Sequence, residues 1–211
     1  MALFITFEGG EGCGKSTQAR ALYGRLSRLA IPSSLTLEPG GTSLGKKLAH
    51  WLKWAQDTDI PPLTELLMFN ASRSQLITEV IQPSLKNGKI VICDRYADST
   101  TAYQSYGRGL DLEMVRAINN AATQGLQPDL TILLDISVEE GLARQRAKKQ
   151  DRFEQEETAF HRRVREGYLK IASNDPQRWL VIDATQSKER ITQIIWQRVS
   201  QLLSERGLKY E

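Results

Sequence analysis

Gly9-Gly10-Glu11-Gly12-Cys13-Gly14-Lys15-Ser16 decides how this chain is read. The apolar run Leu3-Phe4-Ile5-Thr6-Phe7 precedes it and reads as a buried strand. Thr17 to Ala30 follows, with Ala21, Leu22, Leu26 and Leu29 at helical spacing. Strand, glycine-rich loop, Lys-Ser and helix make the G-x-x-x-x-G-K-[ST] phosphate loop in the context that the motif requires. The glycines let successive backbone N–H groups turn inward toward a phosphate chain. The helix behind them adds its positive end. Lys15 is placed to reach terminal phosphates, and Ser16 to offer a hydroxyl to Mg²⁺. The stretch therefore predicts nucleoside-triphosphate binding.

Downstream, strands and helices alternate. Ser34 to Leu37 reads as a strand that stops at Glu38-Pro39-Gly40-Gly41-Thr42. A helix follows over about 43–54, then a turn at Asp57 to Pro62 and a long helix to about Leu85, ended by Pro83 and Gly88. Ile90 to Cys93 is a strand buried on both faces, and it ends abruptly in Asp94-Arg95-Tyr96. A carboxylate and a guanidinium at the carboxyl end of such a strand point to a ligand edge. A polar and aromatic segment runs from Ala97 to Gly109, and a helix covers about Asp111 to Gln124. Leu130 to Leu134 is the next strand, with a capping box at Ser137 and Glu140. A basic helix, a second helix over about 156–172, a strand at Trp179 to Ile182 and a helix to about Arg206 complete the chain. The pattern predicts an α/β fold with a mostly parallel five-stranded sheet and helices on both faces. Right-handed crossovers then bring the phosphate loop, Asp94-Arg95 and the Thr185 loop to one edge.

Composition bounds the reading. The 211 residues suffice for one domain, with 40% hydrophobic and 25% charged residues as in globular proteins. A net charge of +3 without a basic run predicts no nucleic-acid partner. No apolar stretch reaches the length of a membrane span, and no leader pattern precedes the first strand, so a cytoplasmic protein is expected. Cys13 and Cys93 make neither a disulfide framework nor a metal set. Cys13 sits in the ring of loop N–H groups, where thiol reagents are expected to inactivate and ATP to protect. His50 and His161 lie in polar helical contexts and receive no role. Trp51 and Trp54 are expected to pack helix to helix, or across a dimer contact.

A triphosphate cradle beside a second set of basic and polar groups suits a kinase of small phosphorylated acceptors. Alignment and charge neutralisation carry phosphoryl transfer, so no nucleophilic side chain is needed. The basic segment Arg144 to Arg152 reads as a lid, with Lys148 and Lys149 equally readable as a solvated helix face. The alternatives are a kinase of another nucleotide or a free deoxynucleoside, and a non-catalytic ATP-binding module.

From Phe4 to the last helix the chain resembles the bacterial thymidylate kinases. The marks are Phe7-Glu8-Gly9 through Lys15-Ser16, Glu38-Pro39-Gly40-Gly41-Thr42, Asp94-Arg95-Tyr96 with Ser99, Ala102-Tyr103-Gln104, Gly107-Arg108-Gly109, Pro128-Asp129-Leu130 and Asp151-Arg152-Phe153-Glu154. The resemblance implies a P-loop nucleoside-monophosphate-kinase fold, a single domain over 1–211 with a small lid at about 144–155, dTMP and ATP as substrates, Mg²⁺, and a cytoplasmic homodimer feeding dTTP synthesis. It implies that Gly9 to Thr17 hold ATP, with Arg144 and Thr185 alongside. Ser16 and Asp94 serve the metal. Glu11 touches the acceptor sugar, Glu38 borders the acceptor site, and Arg95 grips the acceptor phosphate. Phe69 stacks on the base, Arg73 reads it, and Ser99, Tyr103 and Gln104 line the pocket. Some members carry an arginine inside the phosphate loop. Here Glu11-Gly12-Cys13 stands there, so the catalytic cation is expected from the lid: Arg152, with Arg144 or Arg146.

Overall fold

The computed structural model describes residues 2–55, 58–145 and 150–207, with the backbone alone at 145. The expected turn residue Asp57 and the lid residues Arg146, Lys148 and Lys149 lie outside them. The described elements are β1 (Leu3–Glu8), α1 (Lys15–Arg28), β2 (Ser33–Leu37), α2 (Ser43–Trp54), α3 (Pro62–Leu76), α4 (Gln82–Lys86), β3 (Ile90–Asp94), α5 (Ala97–Thr100), α6 (Leu112–Thr123), β4 (Leu130–Asp135), α7 (Val138–Gln145), α8 (Thr158–Asn174), β5 (Trp179–Asp183) and α9 (Lys188–Glu205). The strands pair in parallel in the order β2-β3-β1-β4-β5. β1 therefore sits centrally, paired with β3 on one side and β4 on the other; the chain fills the β2-β3 side first and then crosses β1 to β4 and β5. Open parallel sheets bind ligands at the carboxyl end of such a switch point.

Period-two alternation in the strands assigns the site residues to faces. Leu3, Ile5, Phe7, Ile90, Ile92, Leu130, Ile132 and Leu134 pack on one face with Leu22 and Leu26 of α1 and Ile191, Ile195 and Val199 of α9. Phe4, Val91 and Cys93 pack on the other face with Leu76, Ile77 and Tyr96. Leu133 also faces that way, with Phe160, Val164 and Tyr168 of α8. Asp94 continues the Ile90–Ile92 row and so reaches Ser16 on α1. Glu8 continues the Phe4–Thr6 row and points toward α5 and α8. Burying each of these aliphatic side chains contributes about 1.5–3 kcal/mol, so a strand slipped by one residue is strongly disfavoured.

The helix ends follow local chemistry. Thr42 Oγ1 accepts from Gly45 N at 2.9 Å, Asp111 Oδ1 from Met114 N at 2.8 Å, and Ser187 Oγ from Arg190 N at 3.2 Å. Of the expected capping box the Ser137 half forms: its Oγ accepts from Glu140 N at 3.3 Å, while the Glu140 carboxylate accepts from the Ser137 hydroxyl at 2.7 Å and not from its backbone N–H. Pro83 does not end the long helix. Residues Ile77–Ile81 widen into a π turn, and Pro83 then sits in the first turn of α4, where its missing N–H costs nothing. Gly88, with φ +71°, follows the real end. The segment after α5 is also helical, with a π turn over Thr101–Gly107 that turns Tyr103 and Gln104 inward, both buried. Tyr106 packs on Gly167 of α8, where an added Cβ would lie 2.7 Å from the ring.

Candidate active site

The phosphate loop packs tightly on the start of α7. A Cβ on Gly12 (φ +68°) would lie 2.0 Å from the Gly141 carbonyl oxygen, and one on Gly141 would lie 2.4 Å from that of Glu11. Gly14, with φ +97°, starts α1 without a side-chain cap, so the first N–H groups of α1 stay available to an anion. Lys15 Nζ donates to Gly9 O at 3.0 Å, Gly10 O at 2.6 Å and Cys13 Sγ at 3.4 Å, which fixes the ammonium over the loop. Cys13 is only 2% exposed. The sulfur lies inside the loop, against Lys15, so a thiol reagent has to open the loop to reach it. Ser16 Oγ donates to Asp94 Oδ2, so the two hard oxygen groups expected to serve a metal are adjacent.

Arg95 has φ +71°, an uncommon backbone for a residue with a Cβ, worth about 1–3 kcal/mol of strain. Its N–H donates to Phe7 O at 3.0 Å and the next N–H to Glu8 Oε1 at 2.7 Å, which holds the turn. The guanidinium then points back at the phosphate loop. Nη1 reaches Gly9 O, Ser99 Oγ and Tyr168 Oη at 3.1–3.2 Å, and Nη2 reaches Glu11 Oε1 at 2.8 Å and Tyr103 Oη at 3.1 Å. Burial alone would raise Glu11; Arg95, Lys15 and the Tyr103 hydroxyl outweigh it and hold Glu11 at about 2. Glu11 is thus an ionised acceptor. Glu8 is the opposite case. Burial, with Asp98 adding to it, pushes Glu8 up to about 7, against the hydroxyls of Ser99 (2.6 Å) and Tyr168 (2.8 Å). Burial likewise raises Glu38 to about 7 against the pull of Arg73.

Arg73, 1% exposed, is more deeply engaged than a base-reading donor alone requires. Nε donates to Glu38 at 2.7 Å, Nη1 to Asn70, Thr100 and Asn119 at 3.0 Å each, and Nη2 to Tyr96 O at 3.2 Å. One Nη2 hydrogen has no acceptor among the described residues. Phe69 tilts against Phe153 with centroids 5.6 Å apart.

Two cavities open at this edge. One is lined by Phe69, Arg73, Ser99, Tyr103 and Gln104, among others. The second, a cleft, is lined by Gly12, Gly14, Lys15, Ser16, Thr17, Asp94 and Arg144. Glu11, Glu38, Lys53 and Arg95 line both. Arg144 also donates to Ala184 O at 3.2 Å, beside Thr185. The structure does not bring Arg152 to the cleft. Its Nε donates to Leu52 O at 3.0 Å and its Nη2 to Glu65 Oε2 at 2.5 Å. Glu65 is fully buried and also accepts from Gln104 at 2.7 Å and Arg108 at 3.3 Å. A desolvated carboxylate fixes an arginine more firmly than solvent does, which is why Arg152 sits there.

Sequence reading passed over Glu65, Lys53 and the deep burial of Glu8. Glu8 was recoverable, because strand alternation puts it on the face opposite Phe7. Nothing local marks Glu65 or Lys53. His161 is buried, with Nε2 unpartnered among the described residues and its pKa lowered by burial, contrary to its polar helical surroundings in sequence. Asp135 and Asp183 are the last residues of β4 and β5: Asp135 accepts from Arg165 through two contacts of 2.7 and 2.8 Å, and Asp183 accepts from Thr185.

A family model described as thymidylate kinase matches residues 7–195. The chain is 55% identical over 203 residues to the thymidylate kinase of Dehalococcoides mccartyi (strain 195 of that species), covering 96% of this chain and 98% of the relative. It is 48% identical over 209 residues to that of Roseiflexus castenholzii, covering 92% and 91%. A crystal structure of thymidylate kinase from Ehrlichia chaffeensis superposes with a TM-score of 0.71 at 37% identity, covering 86% of this chain and 92% of that one.

Proposed function

The chain belongs to the thymidylate kinase family, and from that premise we infer how its own residues move the γ-phosphoryl group of ATP onto dTMP. The reaction makes dTDP, which feeds dTTP synthesis. The observation that carries the site assignment is the junction of a phosphate cleft with a base-sized cavity at Glu11, Glu38, Lys53 and Arg95.

Gly9 to Thr17 receive the ATP phosphates, Lys15 neutralises the transferred group, and Arg144 closes over it beside the Thr185 loop, where adenine rests. In the other cavity Phe69 stacks on thymine, the remaining Nη2 hydrogen of Arg73 donates to O4, and ionised Glu11 accepts from the sugar 3′-hydroxyl. Ser99, Tyr103 and Gln104 line the pocket, and Glu38 holds Arg73 in place. Arg95 meets the acceptor phosphate. An oxygen of that phosphate attacks the γ-phosphorus, the bond to the bridging oxygen breaks, and ADP leaves. No protein nucleophile takes part. Ser16 and Asp94 fit Mg²⁺, which takes few protein oxygens and completes its shell elsewhere. When bound, that ion would neutralise phosphate charge. Asp151 to Glu154 form the stem of a lid on a single domain.

Lys15→Ala tests the phosphate-site assignment. Losing one positioned donor to developing charge costs on the order of 10²–10³ in rate. ADP release with dTMP should fall by at least that much while the thermal melt stays close to the parent. Near-parental turnover in a folded variant would remove the assignment.

We also assign a homodimer, built on the exposed apolar side chains of α2 and α3: Leu44, Trp51, Leu63 and Leu67 are 44%, 55%, 44% and 49% exposed. Trp51→Glu should shift the mass in sedimentation equilibrium to one chain; an unchanged dimer would place the contact elsewhere. Among the described residues no helix is long and apolar enough to cross a membrane, and a cytoplasmic location fits a dTMP kinase.

A further inference from the structure

We propose that Lys53 is a phosphate-binding cation for the acceptor, placed at the seam of the two cavities. The proposal rests on the dTMP-kinase reading and adds a residue to it. A phosphoryl group crossing between the cavities must pass the residues that line both, and these are Glu11, Glu38, Lys53 and Arg95. Two are carboxylates, so cationic help at the seam falls to Arg95 and Lys53. Arg95 has both terminal nitrogens engaged by five protein oxygens. Only its Nε–H is left without an acceptor among the described residues. A dianionic phosphate needs more than one such donor.

Lys53 has them. Its ammonium carries three N–H groups, and its one ion pair among the described residues is with Asp151 Oδ2 at 3.3 Å. The side chain is 39% exposed, so it can turn without opening the core. Its charge already helps to lower Glu11, which places it within electrostatic reach of the seam. The backbone beneath it is anchored: Arg152 N donates to Lys53 O at 3.1 Å, and Arg152 Nε to Leu52 O. The lid stem thus fixes where the end of α2 presents its lysine. This gives Arg152, itself anchored on buried Glu65, a positioning task at the end of α2.

The test compares dTMP with thymidine, which shares base and sugar but lacks the phosphate. Calorimetric titration of the full chain would use the parent, Lys53→Met and Lys53→Arg, with a thermal melt of each. Hydrogen bonds to charged groups predict a loss of about 10- to 100-fold in dTMP affinity for Lys53→Met. Thymidine affinity should change less than about twofold, and Lys53→Arg should recover most of the dTMP affinity. Equal losses for both ligands would make Lys53 a structural brace for the lid stem and overturn the proposal. Unchanged dTMP affinity in Lys53→Met would overturn it too. A parent protein that binds neither ligand would instead sink the acceptor assignment itself, which separates the two failures.

Discussion

Arg144→Ala is expected to lower kcat on the order of 10³- to 10⁵-fold, the range for arginines that neutralise a transferring phosphoryl group. ATP affinity should change only a few-fold. The loss would be confined to the transition state, so kcat and kcat/KM should fall together. Arg144 earns this role by position. It lines the phosphate cleft with Lys15 and Ser16, and its contact with Ala184 O sets it beside the Thr185 loop. Arg152, which the family resemblance implies together with Arg144 or Arg146, is clamped to Leu52 O and buried Glu65. Arg152→Ala should therefore act differently. It should raise KM for dTMP and lower Tm, because Gln104, Arg108 and the end of α2 share its anchor. Rapid-quench measurement of a single turnover separates the two variants. If Arg152→Ala loses the chemical step and Arg144→Ala keeps it, the lid rearranges on closing and Arg152 is the catalytic cation.

The second large effect is base selection. The parent should prefer dTMP over dCMP by about 10⁴ in kcat/KM, the discrimination reached when a buried hydrogen-bonding site meets a partner of the wrong polarity. Arg73 has donors only, and thymine O4 accepts. Cytosine presents an amino group at that position, so two donors would face each other where water is excluded. The network around Arg73 sharpens the argument. Four of its five N–H groups are directed at Glu38, Asn70, Thr100, Asn119 and Tyr96 O, so the guanidinium cannot swing aside to accommodate the wrong base. Phe69, in its proposed stacking role, would meet either ring alike and would not discriminate. Tyr103, held by Glu11 at 2.6 Å, would crowd the sugar 2′ position in the proposed pose, so UMP should also be poor and dUMP intermediate. Arg73→Ala should narrow the dTMP to dCMP gap, although it also leaves Glu38 buried without its cation and should lower Tm. Gln104→Ala, which leaves that pair intact, serves as the comparison. Equal kcat/KM for dTMP and dCMP in the parent would defeat this assignment of Arg73, and a preference for dGMP or dAMP would change the acceptor class.

Much of this molecule is legible in the residues themselves. The phosphate loop, the strands that precede it and follow it, the caps at Thr42, Asp111, Ser137 and Ser187, and Asp94-Arg95 at the end of β3 all rest on short-range rules: glycine conformations, side-chain periodicity and hydroxyl-to-backbone bonds. Such rules act within a few residues, so they survive without knowledge of what packs where. Even the meeting of Ser16 with Asp94 follows, once alternation in β3 and the crossover of α1 are granted. Partner choice does not follow. Glu65 binds groups 39, 43 and 87 residues away, and Arg73 binds groups up to 46 residues away. Whether a carboxylate is solvated or buried, and which of several arginines it captures, depends on how α2, α3, the 101–107 turn and the lid stem dock together. That docking, which no local pattern encodes, holds Arg152 at Glu65 and leaves Lys53 standing between the two cavities. The chemistry of the site is written locally; the division of labour among its cations is decided by desolvation and packing between segments far apart in the chain.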